Sequence, residues 1–271
     1  MPFAVIRYIC RMKAVISWTI RYIPRKYLQL FSHFFLRLAA VFYRGNTVQC
    51  TICERSFRKF LPYGRVGRDN ALCPNCLGLE RHRLMWLFLK QKTDFFKRPL
   101  KVLHIAPELC FLDRFEAMDN LEYITGDLES PLAKIKMDIH QIPFPDDTFD
   151  VVFSNHVLEH VENDIEACKE INRVLKPGGW GIVQSPVYNM EQTIEDPSIQ
   201  DPVERERIFG QRDHVRKYGT DYAKRLSRSG LRVTEIPFVH GLAPSLIKKH
   251  ALPEKEPIYF CQKNESGPAR Q

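Results

Sequence analysis

The sequence predicts an α/β domain with a mostly parallel sheet covered on both faces, preceded by a small cysteine module and a basic helical arm. Three observations carry this. From residue 99 onward short apolar runs alternate with helical patterns, and strands that alternate with helices form parallel sheets packed on both sides. Two Cys-x-x-Cys pairs, Cys50/Cys53 and Cys73/Cys76, stand 19 residues apart. The net charge of +8 sits before the first acidic residue, Glu54: eight Lys/Arg precede it, leaving 32 basic and 32 acidic residues.

Residues 1–45 are apolar, aromatic and basic. Lys and Arg interrupt every apolar run well short of the ~18–20 residues that span a bilayer. No small-residue cleavage site closes a signal-peptide pattern. Pro24 divides the segment into two expected helices. Four readings stay open for it: an amphipathic arm on an anionic membrane surface, an arm packed on the domain behind it, an organelle transit peptide, or a basic surface for nucleic acid. The chain is expected in the cytoplasm, peripheral at the inner membrane face if the first reading holds. Cys10, Cys110, Cys168 and Cys261 are scattered in apolar contexts and read as small buried apolar residues of a reducing compartment.

Residues 46–78 form a module around the cysteine pairs. The spacing matches a four-cysteine zinc ribbon, in which each Cys-x-x-Cys turn presents two sulfurs and two turns complete a tetrahedron. Zinc on Cys50, Cys53, Cys73 and Cys76 has no open position and is structural; another metal, or none, is the alternative. Gly64, Gly67 and Gly78 supply turns. Residues 79–98 read as a linking segment with a helix at 79–92. Strands are expected at 101–106, 121–126, 149–154, 179–185, 231–238 and 257–262, and helices at 108–118, 163–175 and 219–229. The stretch 187–218 is long, polar and aperiodic, and loops of that length are usually functional. The tail, 264–271, is expected to fray.

The first strand ends in His104, Ile105, Ala106, Pro107, Glu108, where a ligand-binding turn of an open α/β sheet belongs. A second strand ends in Asp127, about 20 positions on, where an acid can accept hydrogen bonds from both ribose hydroxyls of an adenosine cofactor. Read from the residues alone, loop acids or helix caps are the alternative for Asp127 and Asp138.

The order of pieces resembles the class I S-adenosylmethionine-dependent methyltransferases, and more narrowly the methyltransferase type 11 group. The residues that carry it run from Asp138 through PFPDDTFD and LEH to RVLKPGG, ending at Gly179; the likeness covers roughly 99–263. It implies a Rossmann-like seven-stranded sheet with the last strand antiparallel. It implies S-adenosylmethionine as cofactor, with Asp127 and Leu128 at the ribose, Asp138 and Ile139 at the adenine, and Asn155 and His156 beside the sulfonium and substrate. The sequence departs from the group in its first motif. The usual acid is His104, and the usual glycines are Ala106, Glu108 and Cys110. Glycine lets backbone N–H groups approach a ligand closely; Ala106 is nearly as small, and Pro107 removes a donor. Glu108 can compensate by pairing with the cofactor's ammonium, which keeps His104, Ala106 and Glu108 as cofactor residues. The competing reading is a domain that has lost the cofactor.

Residues 186–222 are the expected substrate region. His214 beside Asp213 can act as a general base on a hydroxyl; His156 and His160 compete for the role, and a structural histidine is the alternative. DHVRKYG, LHIAPE and CPNCLGLERHR together resemble an uncharacterised group of bacterial methyltransferase-domain proteins with an N-terminal cysteine module. The leading expectation is a zinc-containing methyltransferase acting on a small or membrane-linked glycan-type hydroxyl. The runner-up is an RNA methyltransferase, since a zinc module ahead of this fold resembles the ribosomal RNA guanine-N1 enzymes; against it, the catalytic region is neutral and lacks an N-P-P-Y-type motif. A zinc and α/β binding module without turnover is the third.

Overall fold

The computed structural model describes residues 40–64 and 67–265. The arm expected over 1–45 therefore lies almost wholly outside the described residues, as does the tail from 266. Two compact units divide between Leu79 and Glu80.

In the first unit, a 3-10 turn at Ala40–Tyr43 leads into β1 (Arg44–Gln49), which pairs antiparallel with β2 (Ser56–Phe57). A second hairpin joins β3 (Leu61–Tyr63) and β4 (Arg68–Leu72). Arg44, placed at the end of the arm by the sequence, begins a strand instead. Among the described residues its apolar interior comprises Ala40, Val48, Ile52, Phe57, Phe60, Ala71 and Leu79, with the cysteines between them.

The second unit opens with α1 (Glu80–Lys92). The sequence suggests a linking helix, but α1 is part of this unit's packing. Leu84 and Leu89 are fully buried, and Trp86 lies parallel to the rings of Phe111 and Phe115 at 6.2 and 5.7 Å. The Arg83 guanidinium, fully buried, donates to the carbonyls of His250 and Ala251 at 2.7 and 2.8 Å.

The sheet follows with β5 (Leu100–Ile105), β6 (Leu121–Asp127), β7 (Ile135–Lys136), β8 (Phe149–Asn155), β9 (Leu175–Gln184), β12 (Arg232–Ile236) and β13 (Ile258–Gln262), in the spatial order β12-β13-β9-β8-β5-β6-β7. β10 (Ile194–Glu195) and β11 (Arg216–Lys217) form a separate two-stranded ribbon. β13, inserted between β12 and β9, runs antiparallel to both, as expected for the last strand. The central strands β5 and β8 are buried at nearly every position, the pattern of a sheet covered on both faces. Helices α2 (Leu109–Glu116) and α3 (Asp164–Val174) connect the strands. The Asn163 side chain caps α3 by accepting from the Glu166 amide.

Strand β9 begins at Leu175, four residues before the expected start at 179. Leu175 pairs with Phe149 and Trp180 with Val151, so Lys176–Gly179 bulge out between two ladder positions, with Gly178 at φ +75°. The 187–218 stretch is not all loop. It contains the ribbon and α4 (Pro202–Phe209), whose N-cap Asp201 accepts from the amides of Val203 and Glu204 and whose end is Gly210 at φ +95°. Helix α5 (Tyr222–Ser227) is shorter than the expected 219–229, because turns closing on Gly219 and Ser227 bracket it. Helix α6 (Pro244–His250) starts on a proline that the sequence reading passed over.

Candidate functional site

Chain order places the switch point beside β5: from it the chain moves outward through β6 and β7, then returns to β8 and β9 on the other side. Ligands of open α/β sheets bind outside the strand carboxyl ends at such a point. The register makes that edge explicit. Ile105 pairs with Gly126 and with Ser154, and Asn155 with Gln184. Asp127, Ala106, Asn155 and Gln184 therefore stand side by side at the ends of four neighbouring strands.

Ala106 takes φ +52° and its amide donates to the Gly126 carbonyl at 2.9 Å. The glycine-free turn thus adopts the left-handed conformation that glycine takes at no steric cost and alanine adopts at about 1–2 kcal/mol. His156, just past β8, is also left-handed at φ +56°. Strained backbone of this kind gathers at functional sites.

Glu108 is the charge of this edge. Its Oε2 meets His104 Nε2 at 2.7 Å and Asn155 Nδ2 at 3.4 Å, and its Oε1 lies 3.4 Å from His82 Nε2. Burial pushes its carboxyl up, but hydrogen bonds from His104 and His82 outweigh this and hold it well below the usual range. Burial in turn lowers His82 to about 4 against the pull of Glu108. The Glu108 side chain keeps 16% exposure. His104 departs from the expectation of direct ligand contact. It is fully buried among Phe111, Phe115, Tyr123 and Phe153. Its Nδ1 meets the Tyr123 hydroxyl at 2.7 Å, so Nε2 is the nitrogen that donates to Glu108. His104 positions Glu108 and has no surface left for a ligand.

Asp127 caps a tight turn: its Oδ1 accepts from the amides of Glu129 and Ser130 at 2.7 and 2.5 Å, which leaves Oδ2 to face a ligand. Leu128 is 53% exposed beside it. Asp138 likewise accepts from the His140 amide and Nδ1 through a single oxygen. The backbone hydrogen bond and then the ring lower its carboxyl. The Ile139 side chain is not on this edge; it is buried in the apolar core with Leu103, Ile105 and Met137. Asn155 is 6% exposed, and its Oδ1 has no hydrogen-bond partner.

Over β8 and β9 lies a histidine cluster. Glu159, 2% exposed, accepts from the Ser185 hydroxyl at 2.8 Å and pairs with His156 Nδ1 at 3.2 Å. Burial pushes the Glu159 carboxyl up, but His156 outweighs it and keeps the carboxyl low. The expected Asp213–His214 pair is absent. Asp213 faces His160, with Oδ2 3.4 Å from His160 Nδ1, while its neighbour His214 turns inward and packs edge-on to His160 at 4.7 Å. Burial lowers the His214 imidazole. Arg216 and Tyr218, within the expected substrate region, are buried in an ion network with Asp164, Arg225 and Glu195.

Two concavities lie off this edge. One of 710 Å³ has Asp138, His140, Phe144 and Arg173 among its walls; one of 520 Å³ adjoins Asp164, Glu195 and Arg216. Neither is lined by Ala106, Glu108 or Asp127, the groups of the strand-end shelf.

In the first unit, Cys50 and Cys76 sulfurs are 3.5 Å apart and Cys53 and Cys73 sulfurs 3.7 Å, all four lying within 4.8 Å of one another without a disulfide. A tetrahedron with Zn–S bonds of 2.3 Å has edges of about 3.8 Å. The two knuckles share a backbone device: the residue after each pair, Glu54 or Leu77, is left-handed at φ +60° and +61°. Cys50, Cys73 and Cys76 lower the Cys53 thiol by hydrogen bonding, and Cys50, Cys53 and Cys73 raise Cys76. Among the described residues no helix is long and apolar enough to cross a membrane.

Comparison with known proteins bears on the second unit. Residues 105–183 match a family model described as a methyltransferase domain. An uncharacterised protein of Methanocaldococcus jannaschii is 30% identical over 125 residues, 46% of this chain and 52% of that one. An uncharacterised methyltransferase of Schizosaccharomyces pombe is 48% identical over 42 residues, 16% of this chain and 15% of its own length. A sterol 4-C-methyltransferase of Caenorhabditis elegans is 45% identical over 49 residues, 18% of this chain and 15% of that one. The chain thus spans at most about half the length of these curated relatives. Among solved structures, the YcgJ protein of Bacillus subtilis shows 18% identity and a TM-score of 0.41, covering 69% of this chain and all of that one. The matched stretch runs from the end of β5 to the end of β9, the strands that frame the switch point; the Glu80–Gln271 unit has the seven-stranded, mostly parallel sheet of the class I methyltransferase fold, and its residues 105–183 match the methyltransferase domain.

Proposed function

We propose that this chain transfers a methyl group from S-adenosylmethionine to a polar acceptor, a hydroxyl of a small or membrane-linked glycan-type molecule. The observation that carries the cofactor is the placement of a free Asp127 oxygen, a left-handed Ala106 and an ionised Glu108 on one strand-end edge inside the matched domain. These groups fit it: Asp127 and Leu128 for the ribose, Glu108 for the ammonium, the unpartnered Asn155 Oδ1 beside the sulfonium, and Asp138 for the adenine. When bound, the cofactor supplies an electrophilic methyl group on sulfur. The chain's share is mostly positioning, which holds acceptor oxygen and methyl carbon in line. A hydroxyl acceptor must also lose a proton, and His156, backed by Glu159, is placed to take it. The acceptor class rests on the polar 186–222 segment over β8 and β9 and on the basic, aliphatic arm of residues 1–45, which suits a membrane surface.

The test is calorimetric titration with S-adenosylhomocysteine. The wild type is expected to bind in the micromolar range. Asp127→Asn keeps an acceptor for the turn amides but loses the charge, and is expected to weaken binding about 10–100-fold, the value of a charge-assisted hydrogen bond. Glu108→Gln is expected to weaken it at least several-fold, with an unchanged circular dichroism spectrum. No binding by folded wild type would overturn the reading and leave a domain without its cofactor.

The four thiols fit a structural zinc ion: they are soft donors at tetrahedral spacing with no open position. In this reading the ion holds the small unit together and takes no part in methyl transfer.

A further inference from the structure

We propose that Glu159, His160 and His214 form a second metal site, for a divalent transition-metal ion, distinct from the cysteine tetrad. One ligand atom from each lies within 4.8 Å of the others, and two of the three residues are buried at 2% exposure. The independent observation is His214: its Nε2 is buried and has no hydrogen-bond partner, while a backbone hydrogen bond to Phe209 holds the ring. An imidazole nitrogen left bare in the interior is costly unless something binds it.

The surroundings are those of a ligated site. The Ser185 hydroxyl orients Glu159. The Val215 amide donates to the Glu159 carbonyl at 2.9 Å, tying the segment carrying His214 to the loop carrying the other two. Asp213 sits 3.4 Å from His160 Nδ1; such a carboxylate fixes the ring and makes the opposite nitrogen the better ligand. His156 Nδ1, 3.2 Å from Glu159 Oε1, is a fourth donor at the edge of the cluster. Ligands at about 2.1 Å round one ion stand roughly 3.0–3.4 Å apart, so the three groups must close by up to about 1.5 Å. His160, about one-third exposed, has room to turn.

Two imidazoles with one carboxylate favour zinc, cobalt, iron or manganese over magnesium and calcium, which prefer oxygen. Three protein ligands leave positions open, unlike the closed tetrad. The cluster lies above the ends of β8 and β9, so an open position would take the acceptor's oxygen there. That use rests on the methyl-transfer reading; metal binding itself does not.

The experiment uses the full chain with the tetrad filled by zinc, titrated with Co²⁺ by calorimetry and visible absorption. One further Co²⁺ per chain is expected at micromolar affinity, with weak d–d bands, no thiolate charge-transfer bands and no zinc released. His160→Ala, at a part-exposed position, and Glu159→Gln are each expected to lower the affinity at least tenfold, with melting curves reporting that they fold. Asp213→Asn is expected to lower it by a smaller factor. Absence of Co²⁺ uptake, uptake only by exchange with the tetrad zinc, or uptake unchanged in folded His160→Ala overturns the proposal. Titration of the same samples with S-adenosylhomocysteine separates the two readings: Co²⁺ binding without cofactor binding keeps the site and overturns methyl transfer, and the reverse result does the opposite.

Discussion

Stripping zinc with a strong chelator is expected to unfold residues 44–79. Hydrogen exchange of the β1–β2 and β3–β4 hairpins reads this directly. The unit's described interior comprises few apolar side chains, and folds with so small a core usually need a metal, disulfides or a partner. Structural zinc in isolated finger peptides supplies an apparent ~10–16 kcal/mol at neutral pH, more than any core of this size. Losing it should leave hairpin amides exchanging at nearly unfolded rates. Cys73→Ser removes one corner, replacing a buried thiolate with a poor ligand, and is expected to drop zinc content well below the wild-type level. Acid has the same sense, because protons compete with metal for the thiolates. Hairpin protection that survives chelation would show that the tetrad is not held by an ion.

Asp164→Ala is expected to destabilise the second unit by about 3–5 kcal/mol, the cost of breaking a buried ion pair from one side. The Asp164 carboxylate is 1% exposed and accepts from Arg225 Nε and Nη2 at 2.6 and 2.9 Å and from the Tyr218 hydroxyl at 2.8 Å. Arg216, itself 3% exposed, lies 3.8 Å from Asp164 and donates to the carbonyls of Leu158, Val161 and Glu162. Without Asp164 the two guanidiniums keep one carboxylate among the described residues, Glu195, which is 37% exposed. Urea unfolding at neutral pH measures the loss. Burial raises the Asp164 carboxyl, but Arg225, Arg216 and Tyr218 outweigh it, so its folded value lies below the unfolded ~3.9. Its contribution is therefore present above about pH 4 and disappears as pH falls through the lowered value. The gap between wild type and a milder Asp164→Asn variant should narrow in the same direction. A gap independent of pH down to 2 would mean that the carboxylate charge is not what holds the network.

That network shows where sequence reading stops. Asp138 through Gly179 carries a dense motif, and the sheet it implied is the sheet observed. The cysteine spacing likewise foretold the tetrad. DHVRKYG was legible as important but not in what way: Arg216 and Tyr218 clamp the chain onto α3, contacts made across more than fifty residues. Arg83 reaches the carbonyl of His250 across 167 residues, so nothing local marks α1 as part of the second unit. His104 looked like a ligand residue by position, and only burial reveals it as the partner of Glu108. Helix α4 is different. Asp201, Pro202 and Gly210 spell a cap, a first turn and a stop, and the signal was there to be read.

The stack of Trp86 on Phe111 and Phe115 gives the molecule its own optical gauge. The indole lies against α2, which begins one residue after Glu108. Trp180 packs into the same aromatic cluster through Phe95 and Phe153. Whatever engages the Glu108 carboxylate acts next door to two of the chain's three tryptophans, so occupancy of the shelf is readable as emission, without label or coupled assay.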